Sequence, residues 1–413
     1  MLHEARVRTL SGIACDPLFW LIAAAAAFAA VRWANGGIEV VYDAQLSRWS
    51  VERPAIPWLP GSVAGEGCLQ FAVAVALACV VAGCRHALGK SARTSFAFCS
   101  SLFAGCGALA AVLVSWAGVR DLSPLFALDP SAASFAGPAF GMFLLASVAA
   151  LAGGLELKWN KLLLLFSFSA GSCALGLFYF APARVVVLFA ALLAVELLVS
   201  AACLFFTGGA VGVLRFFAAV FIASVLPVFV AVFAAPGEAT AAKLAAFSEW
   251  RLFPEGFWAF RARLSEIASG IWRGHVWLGS GLGAFPLEAR FLAGEADWLS
   301  WGSSVPRFAV NGGWHLLAER GIAGAAAIAL PALFMVYSFA SRLVRCDFRR
   351  AFIPVCILGP LVAAAYVAEI FFDVSFLDPA CILAAASIFA LSAGAFPPAR
   401  KEPPDGVRQT GDK

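Results

Sequence analysis

Apolar positions run through this chain in long unbroken blocks, and the blocks are long enough to cross a lipid bilayer. A spanning helix needs roughly 17–25 residues of this kind. About ten segments meet that requirement: 17–35, 67–84, 95–118, 137–156, 162–180, 185–206, 211–235, 322–341, 351–371 and 380–396. Two polar insertions of any size interrupt them, 36–66 and 236–321. The pattern predicts an all-α, polytopic integral membrane protein. Residues 1–235 form about seven N-terminal spans, 236–321 a large loop with short helices, and 322–396 about three further spans. The Pro-rich, charged stretch 397–413 is expected to be a disordered tail.

Inside the long insertion, Ala241 to Phe253 and Phe257 to Trp272 carry helical spacing, with Pro254 and Gly256 between them. A third helix begins just after Gly312 and Gly313, runs through Trp314, Leu317 and Ala318, and leads into the span from Ile322. The shorter insertion holds Pro54, Pro57 and Pro60 with Trp49 and Trp58, which suggests an irregular cap at the membrane interface, where Trp is favoured.

Composition strengthens the membrane reading. Hydrophobic residues make up 62% of the chain and charged ones 13%, about half the charged share of a soluble domain. The net charge of +4 is small, and no basic run interleaved with aromatics marks a nucleic-acid groove. Basic clusters (Arg6/Arg8, Arg85/Lys90/Arg93, Lys158/Lys161, Arg342/Arg345/Arg349/Arg350, and Arg400, Lys401 and Lys413 near the C-terminus) all fall on one side under this span count. The positive-inside rule makes that side cytoplasmic, with both termini inside and both insertions outside. The first apolar stretch lacks a small-residue cleavage site and reads as a retained helix. The eleven cysteines fall in or beside apolar segments or in cytoplasmic stretches, without metal-ligand spacing, and read as small core residues.

Side-chain chemistry concentrates in the long insertion. Gly279, Gly281 and Gly283 sit in a Gly-Ser-Gly-Leu-Gly-Ala-Phe run that could be an anion cradle or a tight turn. No Lys-Ser/Thr follows as in a P-loop. Asn311, His315 and Glu319 follow on one helix, and His275 is the other histidine of the insertion. Arg263, Arg273, Arg290 and Arg307 lie in the same loop, and Arg184 opens a span after Ala181-Pro182-Ala183. Glu196, Arg215 and Glu369 sit in or near apolar spans, where ionisable groups often mark function; they keep a coupled transporter as a rival reading.

The order Arg263, Trp272, glycine turn, Asn311, Glu319-x-Gly321 and Gly324 resembles the O-antigen ligase and polymerase superfamily of bacterial envelope glycosyltransferases. The close part of the match covers about sixty residues, and a multi-span scaffold with a late outer loop covers the rest loosely. The resemblance implies an inner-membrane protein with its large loop in the periplasm. It would move a glycan from an undecaprenyl-diphosphate donor to a hydroxyl of a lipid or polysaccharide acceptor, among membrane lipid and other envelope-assembly proteins. No cofactor or metal is implied. His315, Glu319 and Asn311 would be the catalytic candidates, and Arg184, Arg263, Arg273 and Arg290 the diphosphate contacts, because Arg forks suit phosphate oxygens. The chain departs from the family at one position: the histidine that precedes the motif Asn is Val310 here. His315 or His275 would have to supply the base, or Glu319 would serve, or the reaction is lost. A polymerase, a non-catalytic relative that binds lipid-linked glycan, and a transporter remain as alternatives.

Overall fold

The computed structural model describes residues 15–43, 48–52, 58–63, 66–82, 105–106, 137–156, 160–234, 256–294, 308–344, 353–370 and 379–395, with single positions between them. Helix α1 is Pro17–Ala34, started by Asp16, whose carboxylate accepts from the Leu18 N–H at 3.1 Å, with Pro17 in the first turn. A hairpin follows, β1 Glu39–Asp43 and β2 Arg48–Glu52. Then come α2 Glu66–Ala82, α3 Gly137–Glu156, α4 Asn160–Phe180 and α5 Ala183–Val220. A π-helical turn at Phe221–Val225 leads into α6 Leu226–Ala234. The long insertion contributes α7 Phe257–Gly274 and α8 Phe285–Leu292. The chain closes with α9 Gly312–Val344, α10 Ile353–Cys356, α11 Leu358–Ile370 and α12 Pro379–Ala395.

Among the described residues, six helical stretches are long and apolar enough to cross a membrane: Pro17–Ala34, Gly137–Leu155, Leu163–Phe180, Ala183–Thr207, Gly209–Val230 and Gly312–Arg342. They correspond to the first, fourth, fifth, sixth, seventh and eighth segments expected from hydropathy. Shorter apolar helices, Cys68–Leu77 and Ile353–Ala368, lie where two further spans were expected, and α12 covers the last. The expected span at 95–118 falls outside the described residues apart from 105–106, as do most of the basic clusters and the tail. Exposed faces carry Leu164, Leu198, Phe206, Leu214, Phe233 and Leu333. Apolar surface on that scale is solvated by lipid, not water, and marks a membrane-embedded protein.

The main core joins α3, α4, α5, α11 and α12 around Met142, Leu145, Phe189, Phe216, Leu358 and Ile388. Polar groups inside it satisfy one another: the Ser147 and Ser169 hydroxyls lie 2.9 Å apart, and Ser392 donates to the Cys356 carbonyl at 2.7 Å. A smaller second core lies in the long insertion. Leu264, Ile267, Ala268 and Ile271 recur at helical spacing on α7 and pack on Phe285 and Ala289 of α8 and on Ala309 and Ala318.

Two expectations are revised. The chain is not wholly helical, because β1 and β2 pair antiparallel with Val40 opposite Val51 and Tyr42 opposite Trp49. That pairing gives the first insertion regular structure that its prolines concealed. The third insertion helix also does not run smoothly into the membrane. Gly321 (φ 62°, ψ −170°) breaks α9, just as Gly209 (φ 65°, ψ −167°) breaks α5 between the two spans read there. This region of φ/ψ space is accessible essentially to glycine alone.

Candidate functional site

A broken helix frees carbonyls before the break and N–H groups after it, and each needs a partner. The glycine turn supplies them. Ser280 N–H donates to the Ala318 carbonyl (2.8 Å) and Gly281 N–H to that of Glu319 (3.0 Å), while Ile322 and Ala323 N–H donate to the Val276 and Trp277 carbonyls (both 3.0 Å). Gly279 and Gly321 meet backbone to backbone; a Cβ on either would collide with the other segment. The glycine run is therefore a clamp on the helix break. Its amides are engaged by protein carbonyls, which excludes the anion-cradle reading for Gly279 and Gly281.

The first insertion completes the clamp. Ser62 accepts from Gly37 N–H (2.9 Å) and Ile38 N–H (3.2 Å) and bridges Gly36 to Leu282. Val63 N–H donates to the Leu282 carbonyl and Leu282 N–H to that of Gly61. Asn35 donates its side-chain amide to the Ile56 and Leu59 carbonyls, both at 3.1 Å. The two insertions, distant in sequence and paired at Ser62 and Leu282, thus form one unit.

Arg32, which the sequence did not single out, lies beneath this unit. It is fully buried near the end of α1, stacks over Phe28, and donates to the carbonyls of Leu278 (2.9 Å) and Glu319 (3.2 Å). Its Nε and Nη1 have no hydrogen-bond partner among the described residues. The Arg320 guanidinium repels it and the Glu319 carboxylate attracts it. Arg320 is held in turn by Gln70, whose amide oxygen, turned towards it, accepts at 2.8 Å from Nη2. A basic residue ending an apolar span reads as an interface anchor. Only its inward-facing position distinguishes Arg32.

His315 and Glu319 come together as their spacing implies, Nε2 to Oε2 at 3.5 Å, with side chains only 7% and 8% exposed. The rings of Phe285 and Phe308 stand edge-on to the imidazole. The other Glu319 oxygen accepts from Phe285 N–H at 3.2 Å, which places the carboxylate at the positive end of α8. Asn311 caps α9 through Oδ1 to Trp314 N–H (3.3 Å) and reaches Ser265 through Nδ2 (3.4 Å). These three residues brace the helix end, and the imidazole is buried among them.

The arginines divide. Arg263 holds Asp297 with Nε and Nη2 (2.8–3.1 Å) and Glu266 with Nη1 (2.6 Å). Those bonds push its guanidinium further above its ordinary range, and the bond from Arg263 holds the Asp297 carboxyl below the usual carboxylate range. A phosphate would have to displace two carboxylates there. Arg184 sits over the Phe253 and Phe257 rings at 5.9 and 5.7 Å. Arg273 and Arg290 are exposed and make no ion pair among the described residues. Of the ionisable residues placed in spans, Glu196 is buried and accepts from Ser200 at 3.1 Å, while Arg215 is exposed.

A cavity of about 250 Å³ opens where the two insertions meet, lined by Ile38, Trp58, Leu59 and Gly61 from one and 274–280 from the other. His275 is the ionisable side chain on its wall.

Val310 is the one non-glycine residue at positive φ (50°) among those described. Branching at Cβ makes this conformation strained for valine, whereas Asn, Asp and His adopt it far more readily. Relief of about 1–3 kcal/mol of strain should offset the packing lost from the Leu264–Phe285 cluster that Val310 touches. Val310→His is therefore expected to melt no earlier than the parent in detergent, as read by fluorescence-detected gel filtration. An ordinary core substitution lowers stability by about 0.5–3 kcal/mol, and a loss of that size would remove the strain argument.

No protein-family model matches the chain, and no curated protein matches it.

Proposed function

We propose that this chain is a membrane glycosyltransferase of the O-antigen ligase or polymerase type, seated in a bacterial inner membrane with residues 236–321 in the periplasm. An acceptor hydroxyl attacks the anomeric carbon of a glycan carried on undecaprenyl diphosphate. The C1–O bond to phosphate breaks, the electron pair leaves on the diphosphate, and the hydroxyl proton passes to a base. Charge developing on the leaving diphosphate is what fixed cations stabilise best. Arg273 and Arg290, exposed and without a carboxylate partner among the described residues, are the guanidiniums we assign to it.

One observation carries the reading. The motif pieces that are dispersed in sequence meet in a single packed unit on the membrane-adjacent helix break. Trp272 and Trp314 lie 5.8 Å apart, Gly279 contacts Gly321, Asn311 caps α9 against Ser265 on α7, and Glu319 caps α8. Residues with unrelated roles would have no reason to converge. The left-handed backbone at Val310, suited to histidine, gives further support at the position where the resembling family carries one.

The transporter reading is weaker. Glu196 has a serine partner but no neighbouring cation among the described residues, and the polar groups cluster outside the spans. Deleting the gene is expected to leave undecaprenyl-diphosphate-linked glycan accumulating and a surface glycan missing, with both restored by the plasmid-borne gene. In spheroplasts, a cysteine at exposed Ala262 in a cysteine-free background should react with an impermeant maleimide. An unchanged glycan profile, or a label that enters only after lysis, would remove the proposal.

A further inference from the structure

The base for this reaction need not come from the buried pair on α9. We infer that the cavity between the two outer insertions is the pocket for the acceptor sugar, and that His275, backed by Glu288, takes the proton from its hydroxyl; this rests on the glycosyl-transfer reading above.

Access is the first ground. The His275 side chain is 29% exposed on the cavity wall, while His315 is enclosed by Phe285 and Phe308. A base must come within hydrogen-bond reach of the proton it removes, and His275 is the histidine a substrate can approach. Electrostatics is the second. Glu288 Oε1 lies 3.8 Å from His275 Nε2, and His275 is also the C-cap of α7, at the negative end of its dipole. Both stabilise the imidazolium formed on proton uptake. A carboxylate facing one ring nitrogen favours the tautomer whose other nitrogen is the acceptor.

The chemistry of the rim is the third. Trp58 and Trp277 flank the cavity and are 76% and 71% exposed. Flat indole faces match the C–H face of a pyranose, while the indole N–H groups can meet its hydroxyls. A volume of about 250 Å³ falls just below the roughly 300–1,000 Å³ of pockets for drug-sized ligands, a size for one sugar ring. The cavity has walls from both insertions, so it exists only when the unit they form is assembled. In the step itself the acceptor oxygen bonds to the anomeric carbon, its proton moves to the His275 nitrogen, and the diphosphate leaves with the electron pair of the broken C1–O bond.

The test uses the full chain in the gene-deletion strain, with glycan transfer expressed per folded molecule. His275→Ala is expected to lower transfer at least about a hundredfold, with lipid-linked donor accumulating and normal amounts of folded protein. If the alanine variant folds poorly, His275→Gln keeps size and polarity and should show the same loss. Wild-type transfer in a folded His275 variant overturns the assignment. Saturation-transfer NMR on protein in nanodiscs, with methyl hexopyranosides as probes, tests the pocket. Signal is expected in the parent and in Trp277→Phe and should vanish in Trp277→Leu. No signal in the parent, or undiminished signal in Trp277→Leu, overturns the sugar pocket and leaves the two tryptophans as membrane anchors. An unchanged glycan profile on gene deletion sinks the glycosyl-transfer reading itself. A clear deletion phenotype with a fully active His275 variant sinks only the assignment of the base.

Discussion

Gly321→Ala and Gly279→Ala are each expected to abolish the folded unit formed by the two insertions, whereas Gly256→Ala should be tolerated at reduced stability. All three glycines have positive φ (62°, 72° and 75°), which strains any L-residue placed there; Gly256 (ψ −2°) is left-handed helical, while Gly321 (ψ −170°) lies in the region open essentially to glycine alone. An L-residue in the left-handed region costs about 1–2 kcal/mol. Surroundings separate them. Nothing lies within 4 Å of a Cβ built on Gly256, while one on Gly321 would stand 2.5 Å from the backbone of Gly279 and Trp277. The same collision occurs from the other side at Gly279, against the backbone of Glu319 and Arg320. Backbone cannot rotate away as a side-chain tip can. Relieving the clash separates the turn from the helix break and releases the four main-chain hydrogen bonds between 276–281 and 318–323. Each buried polar group left without a partner costs about 1–3 kcal/mol, so the total exceeds what a marginally stable unit can lose. Thermal midpoints in detergent decide the matter: equal shifts for all three alanine variants would show that the close contact contributes nothing.

The contrast between these glycines shows what the sequence disclosed. Span positions could be read because lipid demands continuous apolar length, and 137–156 and 162–180 appear as α3 and α4 nearly residue for residue. Helix α7 was equally clear, since Leu264, Ile267, Ala268 and Ile271 repeat at helical spacing. The glycine run announced a turn but not its partner. Pairing of 276–281 with 318–323, and of Ser62 with Leu282, is made by main-chain groups that every residue carries. Such contacts leave no mark on composition or period. The cavity inherits the same obscurity, because part of its wall comes from an insertion whose prolines suggested irregular chain. Side-chain partners were hidden for a different reason. Arg263 looked like a phosphate ligand because Asp297 and Glu266 gave no sign in sequence that they would converge on it. Arg32 resembled any cation at a helix end until its burial placed it under the clamp.

Glu319→Ala is expected to destabilise the protein by about 3–5 kcal/mol, the usual consequence of removing one member of a buried charged set. The carboxylate faces the His315 imidazole at 3.5 Å, accepts from Phe285 N–H at 3.2 Å and attracts the buried Arg32. Without it the Arg32 cation loses its nearby countercharge, and the first turn of α8 loses its acceptor. Glu319→Gln keeps an oxygen for Phe285 N–H and should lose less, about 1–2 kcal/mol. A second substitution separates charge balance from packing. Arg32→Met in the Glu319→Ala background removes the stranded cation and should restore at least about 1 kcal/mol, a coupling that independent sites would not show. The same variants bear on chemistry. If Glu319 braces the helix end and His275 is the base, transfer per folded molecule in Glu319→Gln stays near the parent value. A Glu319→Ala protein as stable as the parent but inactive would reverse that conclusion, placing the carboxylate among the reacting groups and the α9 pair at the centre of the site.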